Sequence, residues 1–114
     1  MKLLIAIIQP DKLDAVRESL LAAQIPRITV SRCTGRARKD ADLEIFRGQV
    51  VAPALEARVR VEVALNEDFV DRAIEAIVAA ARHGDGEPGD GKIFVVPLER
   101  CVRISSGEAG SEAI

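Results

Sequence analysis

The chain has no tryptophan and no tyrosine, and only three phenylalanines, two cysteines, one histidine and one methionine among its 114 residues. Each shortage removes a class of function. Without tyrosine there is no phenolic hydroxyl to modify. Three aromatics do not supply the exposed stacking platform by which sheet-based modules grip RNA bases. Two cysteines, Cys33 and Cys101, make neither a disulfide framework nor a thiolate metal centre, and they read as packed thiols. Charge of one sign is lacking too: 16 basic residues meet 18 acidic ones, for a net charge of −2. Nothing in that balance points to nucleic acid. No apolar run reaches the roughly 18 residues needed to span a bilayer. The opening "MKLLIAIIQP" has the length of a signal peptide, but Pro10 and the charged "DKLDAVRE" follow it with no small-residue cleavage site. It reads as a first strand of a cytoplasmic protein.

What is present is one domain of 48% hydrophobic and 30% charged residues, a balance typical of a soluble globular fold. "KLLIAIIQ" is apolar on both faces, as a central strand requires. Asp11 then reads as the cap of a helix with Leu13, Val16, Leu20 and Ala23 at helical spacing. "ITVSRC" is a β-branched strand. "ARVRVEVAL" alternates, with Val59, Val61, Val63 and Leu65 on one face and Arg58, Arg60, Glu62 and Ala64 on the other. Asn66 stands at the N-cap of a second helix whose apolar side carries Phe69, Ala73, Ile74, Ile77, Val78 and Ala81. "KIFVVPL" is the last strand, so that of the three phenylalanines only Phe94 falls on a strand. The tail "SSGEAGSEAI", residues 105–114, reads as flexible. The order β-α-β-β-α-β gives an α+β, ferredoxin-like sandwich. Two helices cover one face of such a sheet. Because the first and last strands are apolar on both faces, an oligomer is expected to cover the other. The strands nearest Cys33 and Cys101 are not neighbours in this topology, so no bridge between them is expected.

Two segments break the pattern. Residues 36–56 show no sustained period, and a loop of that length inside a small domain is expected to be functional. Phe46, Arg47, Val50 and Val51 within it are the apolar and arginine anchors typical of interfaces. The second segment, "RHGDGEPGDGK", sets four glycines before a strand. Glycines allow several N–H groups to converge on an anion, and Lys92 adds a point charge suited to phosphate. Taken alone, "GDG" is an ordinary turn and Lys92 a solvated strand-edge residue. The spacing is not that of a Walker loop. His83 at the start of the loop reads as a surface or capping residue, or as a phosphate contact.

Taken together, "AIIQPDKLDAVRESL", "TVSRCTG", "LEIFRG" and "GDGKIF" resemble the PII signal-transduction family. The likeness runs nearly the whole chain, ungapped through Gly84, with two additional residues in the "GDGEP" loop. It implies a ferredoxin-like domain over residues 1–104 that assembles as a homotrimer. A partner-binding T-loop would span 37–55 and a phosphate-binding B-loop 83–91. ATP or ADP would sit in clefts between subunits. By the same resemblance Ile7, Thr29, Glu62 and Ala64 would surround the adenine. Gly35 and Arg38 would approach the phosphates, Gly89, Asp90, Gly91 and Lys92 would cradle them, and Arg103 would reach across from a neighbouring subunit.

The departures from the family pattern carry expectations of their own. A second arginine common in the family is Ser105 here, which removes a charge-assisted contact worth about 1.5–3 kcal/mol and would weaken phosphate binding or favour ADP or AMP. The tyrosine uridylylated in many members is Val51, so that modification is excluded, and no serine lies within 35–55 to be phosphorylated. The glutamine associated with Mg²⁺ and 2-oxoglutarate is Lys39. An ammonium has no lone pair for a metal, which argues against Mg²⁺ at that position and against 2-oxoglutarate sensing, while leaving Lys39 able to meet phosphate. A lysine that contacts the same effector is Arg58, which can still bind a carboxylate. The implied function is that of a nucleotide-responsive regulator, not an enzyme, acting on a transporter or metabolic enzyme. The alternatives are a sensor of another small anion such as bicarbonate, or a slow ATPase on the same fold. An acylphosphatase is excluded by the lack of an anion cradle after the first strand, and Asn66, the chain's one asparagine, is used as a cap.

Overall fold

A computed structural model describes residues 1–36, 44–46, 49–51 and 55–114, with 44–46 and 49–51 described by backbone alone. Strand β1 (Lys2–Ile8) lies at the centre of a four-stranded antiparallel sheet of order β2-β5-β1-β6, with β2 at Thr29–Gly35, β5 at Glu56–Leu65 and β6 at Gly91–Pro97. Helices α1 (Leu13–Ala22) and α2 (Glu67–Ala81) follow β1 and β5. This is the ferredoxin-like arrangement expected from the sequence.

Alternation decides which side chains are inside. Leu4, Ala6 and Ile8 of β1, with Val59, Val61, Val63 and Leu65 of β5, form the helix-facing layer and are almost wholly buried. Val16 and Leu20 of α1 and Val70, Ala73, Ile77 and Ala81 of α2 close over them. The inward stripe of α2 thus includes Val70, beside the apolar positions that the spacing predicts. Leu3, Ile5 and Ile7 point to the other face and are half-buried, and Phe94 and Val96 beside them on β6 are 49% and 38% exposed. The open face is therefore apolar along β1 and β6.

Three sequence expectations change. Asp11 does not cap α1. It lies in a short 3-10 turn, Pro10–Lys12, and Lys12 occupies the N-cap position with no side-chain cap bond. Asn66 does hold the N-cap position of α2 in extended geometry, but its Nδ2 donates to the Ser111 carbonyl (3.1 Å) instead of capping. The aperiodic segment contains a hairpin of two three-residue strands, β3 (Glu44–Phe46) and β4 (Gln49–Val51), so Phe46 also lies on a strand. Strands that short leave no readable period.

The tail is polar by composition, yet residues 101–114 follow a bonded path. Gly107 N–H donates to the Arg103 carbonyl, Arg103 N–H to that of Glu108, and Gly110 N–H to that of Cys101. Ser111–Ala113 form a 3-10 turn whose Ala113 is buried. Backbone bonds and one small apolar anchor thus link parts of a segment that is polar by composition. Cys33 and Cys101 are free, half-buried thiols.

Candidate functional site

The glycine loop joins α2 to β6. Gly84, Gly86, Gly89 and Gly91 all take positive φ. At Gly91 the requirement is absolute: φ is +122° and a Cβ would lie 1.8 Å from the Ile7 carbonyl oxygen. The bare backbone lets β6 begin pairing directly against the end of β1, with Gly91 opposite Ile8 and Lys92 opposite Ile7. Lys92 is exposed on the open face and makes no ion pair with any described residue.

Asp90 closes the loop. Its Oδ2 accepts from Glu87 N–H (2.7 Å) and from His83 N–H (3.3 Å), and its Oδ1 lies 2.6 Å from His83 Nδ1. The other ring nitrogen, Nε2, lies 2.9 Å from Asp11 Oδ2. Gln9 Nε2 donates to the Gly89 carbonyl at 2.8 Å. Hydrogen bonding with Asp11 foremost, then with Asp90, raises the His83 pKa above its usual range. Asp11 is held below the ordinary carboxylate value chiefly by its bond to His83, and Asp90 chiefly by the Glu87 N–H and then His83. Sequence reasoning missed this cluster, because Asp11 and His83 are 72 residues apart. The lone histidine at the loop's start was the one available signal.

The eleven residues assigned to a nucleotide do not form one group. Ile7, Asp90, Gly91 and Lys92 border a groove of about 530 Å³ along β6, with Gly89 beside it. Gly35 is at the same end of the sheet, the last residue of β2. Thr29, Glu62, Ala64 and Arg103 instead border a cavity of about 590 Å³ that also takes in Leu3, Phe69 and the tail residues Ala113 and Ile114. Thr29 and Glu62 are cross-strand partners, and Ala64 pairs with Leu3 near the start of β1. The two groups thus lie toward opposite ends of one sheet: Gly91 and Lys92 are level with Ile8 and Ile7 of β1, Thr29 and Glu62 with Ile5, and Ala64 with Leu3, so that along β1 the latter three stand roughly 7 to 13 Å from Ile7 at strand rise. A third groove, about 760 Å³ between α1 and β2, holds none of them.

Charged residues of the second group are engaged within the chain. Arg60 Nε pairs with Glu62, while Arg103 pairs with Glu108 at 3.5 Å and donates to the Glu112 carbonyl at 3.0 Å. Arg58 lies on the open-face side of the alternation yet is only 5% exposed; its guanidinium donates to the Ala57 carbonyl and pairs with Glu56 at 3.0 Å. An effector reaching Arg58 would have to displace Glu56. Arg38, Lys39 and Arg47 lie outside the described residues. So do the side chains of Phe46, Val50 and Val51, whose backbone belongs to the hairpin.

Comparison with known proteins adds one finding. Residues 1–108 match the family model described as nitrogen regulatory protein P-II. The chain is 45% identical over its full 114 residues to nitrogen regulatory protein P-II of Rhizobium etli, and 45% to that of Azospirillum brasilense, covering all of each relative. It is 41% identical to nitrogen regulatory protein GlnK1 of Methanosarcina mazei, over 97% of that chain.

Proposed function

The chain belongs to the nitrogen regulatory protein P-II family, and from that premise we propose that it is a cytoplasmic signalling protein, without catalytic turnover, that binds ATP or ADP where two of its subunits meet. The observation that carries the reading is the division of the site. One end of the sheet supplies an exposed cation, Lys92, beside a backbone that only glycine can follow. The other supplies Thr29, Glu62, Ala64 and Arg103 around a cavity. Neither half alone offers both a place for a base and a grip on phosphate. Two chains brought together lysine-end to arginine-end would offer both, and the apolar open face is the surface that such packing would bury.

We infer from the division a different sharing of roles. Thr29, Glu62 and Ala64 go with Arg103 and would come from one subunit; Ile7 goes with the glycine loop and would come from the next. Arg103 must exchange Glu108 for phosphate, a substitution of one anion for another. The T-loop, residues 37–55, would carry the response to a partner transporter or enzyme through Phe46, Arg47, Val50 and Val51. Among the described residues no helix is long and apolar enough to cross a membrane, so contact with a membrane would be made through the partner. Lys39 in place of a metal-binding side chain, and Arg58 engaged by Glu56, both weigh against a Mg²⁺-dependent 2-oxoglutarate response.

Isothermal titration with ATP, ADP and AMP, with and without Mg²⁺, tests the reading. Saturable heats with at least one nucleotide are expected, and flat heats with all three would end it. Phosphate release measured on the same samples separates a regulator from a slow ATPase.

A further inference from the structure

The chain's single histidine is held between two carboxylates. Nδ1 lies 2.6 Å from Asp90 Oδ1 and Nε2 lies 2.9 Å from Asp11 Oδ2. A neutral imidazole has one N–H and one lone pair, and an ionised carboxylate only accepts. Both contacts are satisfied together only when both ring nitrogens carry a proton. The same geometry leaves no ring lone pair for a metal, and no metal-holding cluster occurs among the described residues.

The connections this imidazolium makes are structural ones. Asp11 belongs to the 3-10 turn after β1, and Asp90 closes the glycine loop through the Glu87 and His83 amides. His83 therefore ties the loop both to itself and to the neighbouring turn. Gly89 and Gly91, on either side of Asp90, are the backbone that the nucleotide reading assigns to phosphate. The geometry points to His83 as the positioning residue of the glycine loop: its imidazolium holds the loop in the shape that receives phosphate, and losing that proton loosens the loop and weakens its hold on an anion. The ligand named here rests on the nucleotide reading; the clamp does not.

Electrostatics acts in the same direction as geometry. The groups that face His83 are Asp11 and Lys12 on the turn, and Asp90 and Glu87 across the loop. With the imidazolium present, the Asp11–His83–Asp90 cluster carries one negative charge. Without its proton the cluster carries two, beside the place proposed for a polyphosphate. One carboxylate must then also swing away from an imidazole lone pair.

Having one histidine makes the test direct, because selective imidazole labelling yields a single resonance. In the nucleotide-free protein the His83 ring is expected to titrate above 6.5, the ordinary value, and to fall toward it in Asp11→Asn. The amide shifts of Gly86, Gly89 and Gly91 should titrate with the ring in the wild type and stay still over the same range in His83→Gln. A ring that titrates at or below the ordinary value, or loop amides that ignore it, would overturn the clamp. For the ligand, ADP affinity measured at about pH 6 and about pH 8.5 should drop roughly two- to tenfold more in the wild type than in His83→Gln, the effect of about one net hydrogen bond. The His83→Gln comparison cancels the titration of the nucleotide's own phosphate. Equal pH profiles in the two proteins would overturn the positioning role. If ADP does not bind, the comparison is made with whichever of ATP and AMP does; if none of the three binds at any pH, the proposed function falls, and the loop amides alone decide the clamp.

Discussion

Lys92 stands exposed at the start of β6, directly across from Ile7, with no ion-pair partner among the described residues, and the proposed function assigns it to phosphate. Lys92→Ala should weaken adenine-nucleotide binding roughly ten- to a hundredfold, the range of a lost charged hydrogen bond, measured by titration calorimetry with unchanged melting. Its neighbour answers to a different force. Gly91→Ala would drive a methyl into the Ile7 carbonyl, so that variant should lose about 2–4 kcal/mol of stability, read from urea denaturation, and lose binding as a consequence. The glycine turn was legible in the sequence because the need for positive φ is local. Arg58 was not. Alternation places it on the open face, but the Ala57 carbonyl and Glu56 draw its guanidinium in, and no periodicity records a side chain that folds back on its own strand.

Helices and strands were mostly readable, because burial imposes its period on them. β1, β2, β5, β6 and both helices lie where alternation and helical spacing put them. The ends were harder. Helix α1 terminates in a Schellman turn: Ile25 N–H bonds the Leu20 carbonyl (2.8 Å), Gln24 N–H bonds that of Leu21 (3.0 Å), and Gln24 takes φ +66°. Glycine adopts that conformation without the side-chain penalty. Gln24→Gly should therefore stabilise the protein by up to about 1 kcal/mol, seen as a higher urea midpoint at an unchanged slope. The 3-10 turn before α1 was hidden for another reason. Asp11 has the chemistry of a cap, but His83 takes its carboxylate across 72 positions of sequence. That exchange makes stability depend on pH. The His83 pKa is raised on folding, so its share of stability is complete below the unfolded imidazole value and fades as pH climbs through the folded one. The Asp11 and Asp90 values are lowered, so their share is complete above the unfolded carboxylate value and fades as pH falls through the folded ones. The wild type should exceed His83→Gln in urea midpoint most clearly between about pH 4 and 6.5, with the gap narrowing on both sides. A gap that widens with alkali would contradict the sign.

At the scale of the whole molecule, the open sheet face raises a question that one chain leaves unanswered. Ile5 and Ile7 are half-buried there and Phe94 is half exposed, an apolar strip of the kind that a subunit contact would cover. Light scattering during gel filtration should find about three times the 12.3 kDa chain mass. A single-chain mass at micromolar concentration would remove the intersubunit site along with the assembly. That the open face is apolar along β1 and β6 could be read from strands that are apolar on both sides. How the site divides along the sheet could not, because it rests on the cross-strand register and on the path of residues 101–114 beside Arg103, which no periodicity records.

That division has a genetic consequence. If every crevice draws its cation from one copy and its adenine-side residues from the next, a Lys92→Ala chain and an Arg103→Ala chain are each defective alone in different halves. Co-expressed, they would form mixed rings in which an intact lysine meets an intact arginine at one seam. Two inactive alleles would complement each other, and a double mutant mixed with wild type would poison two seams per copy.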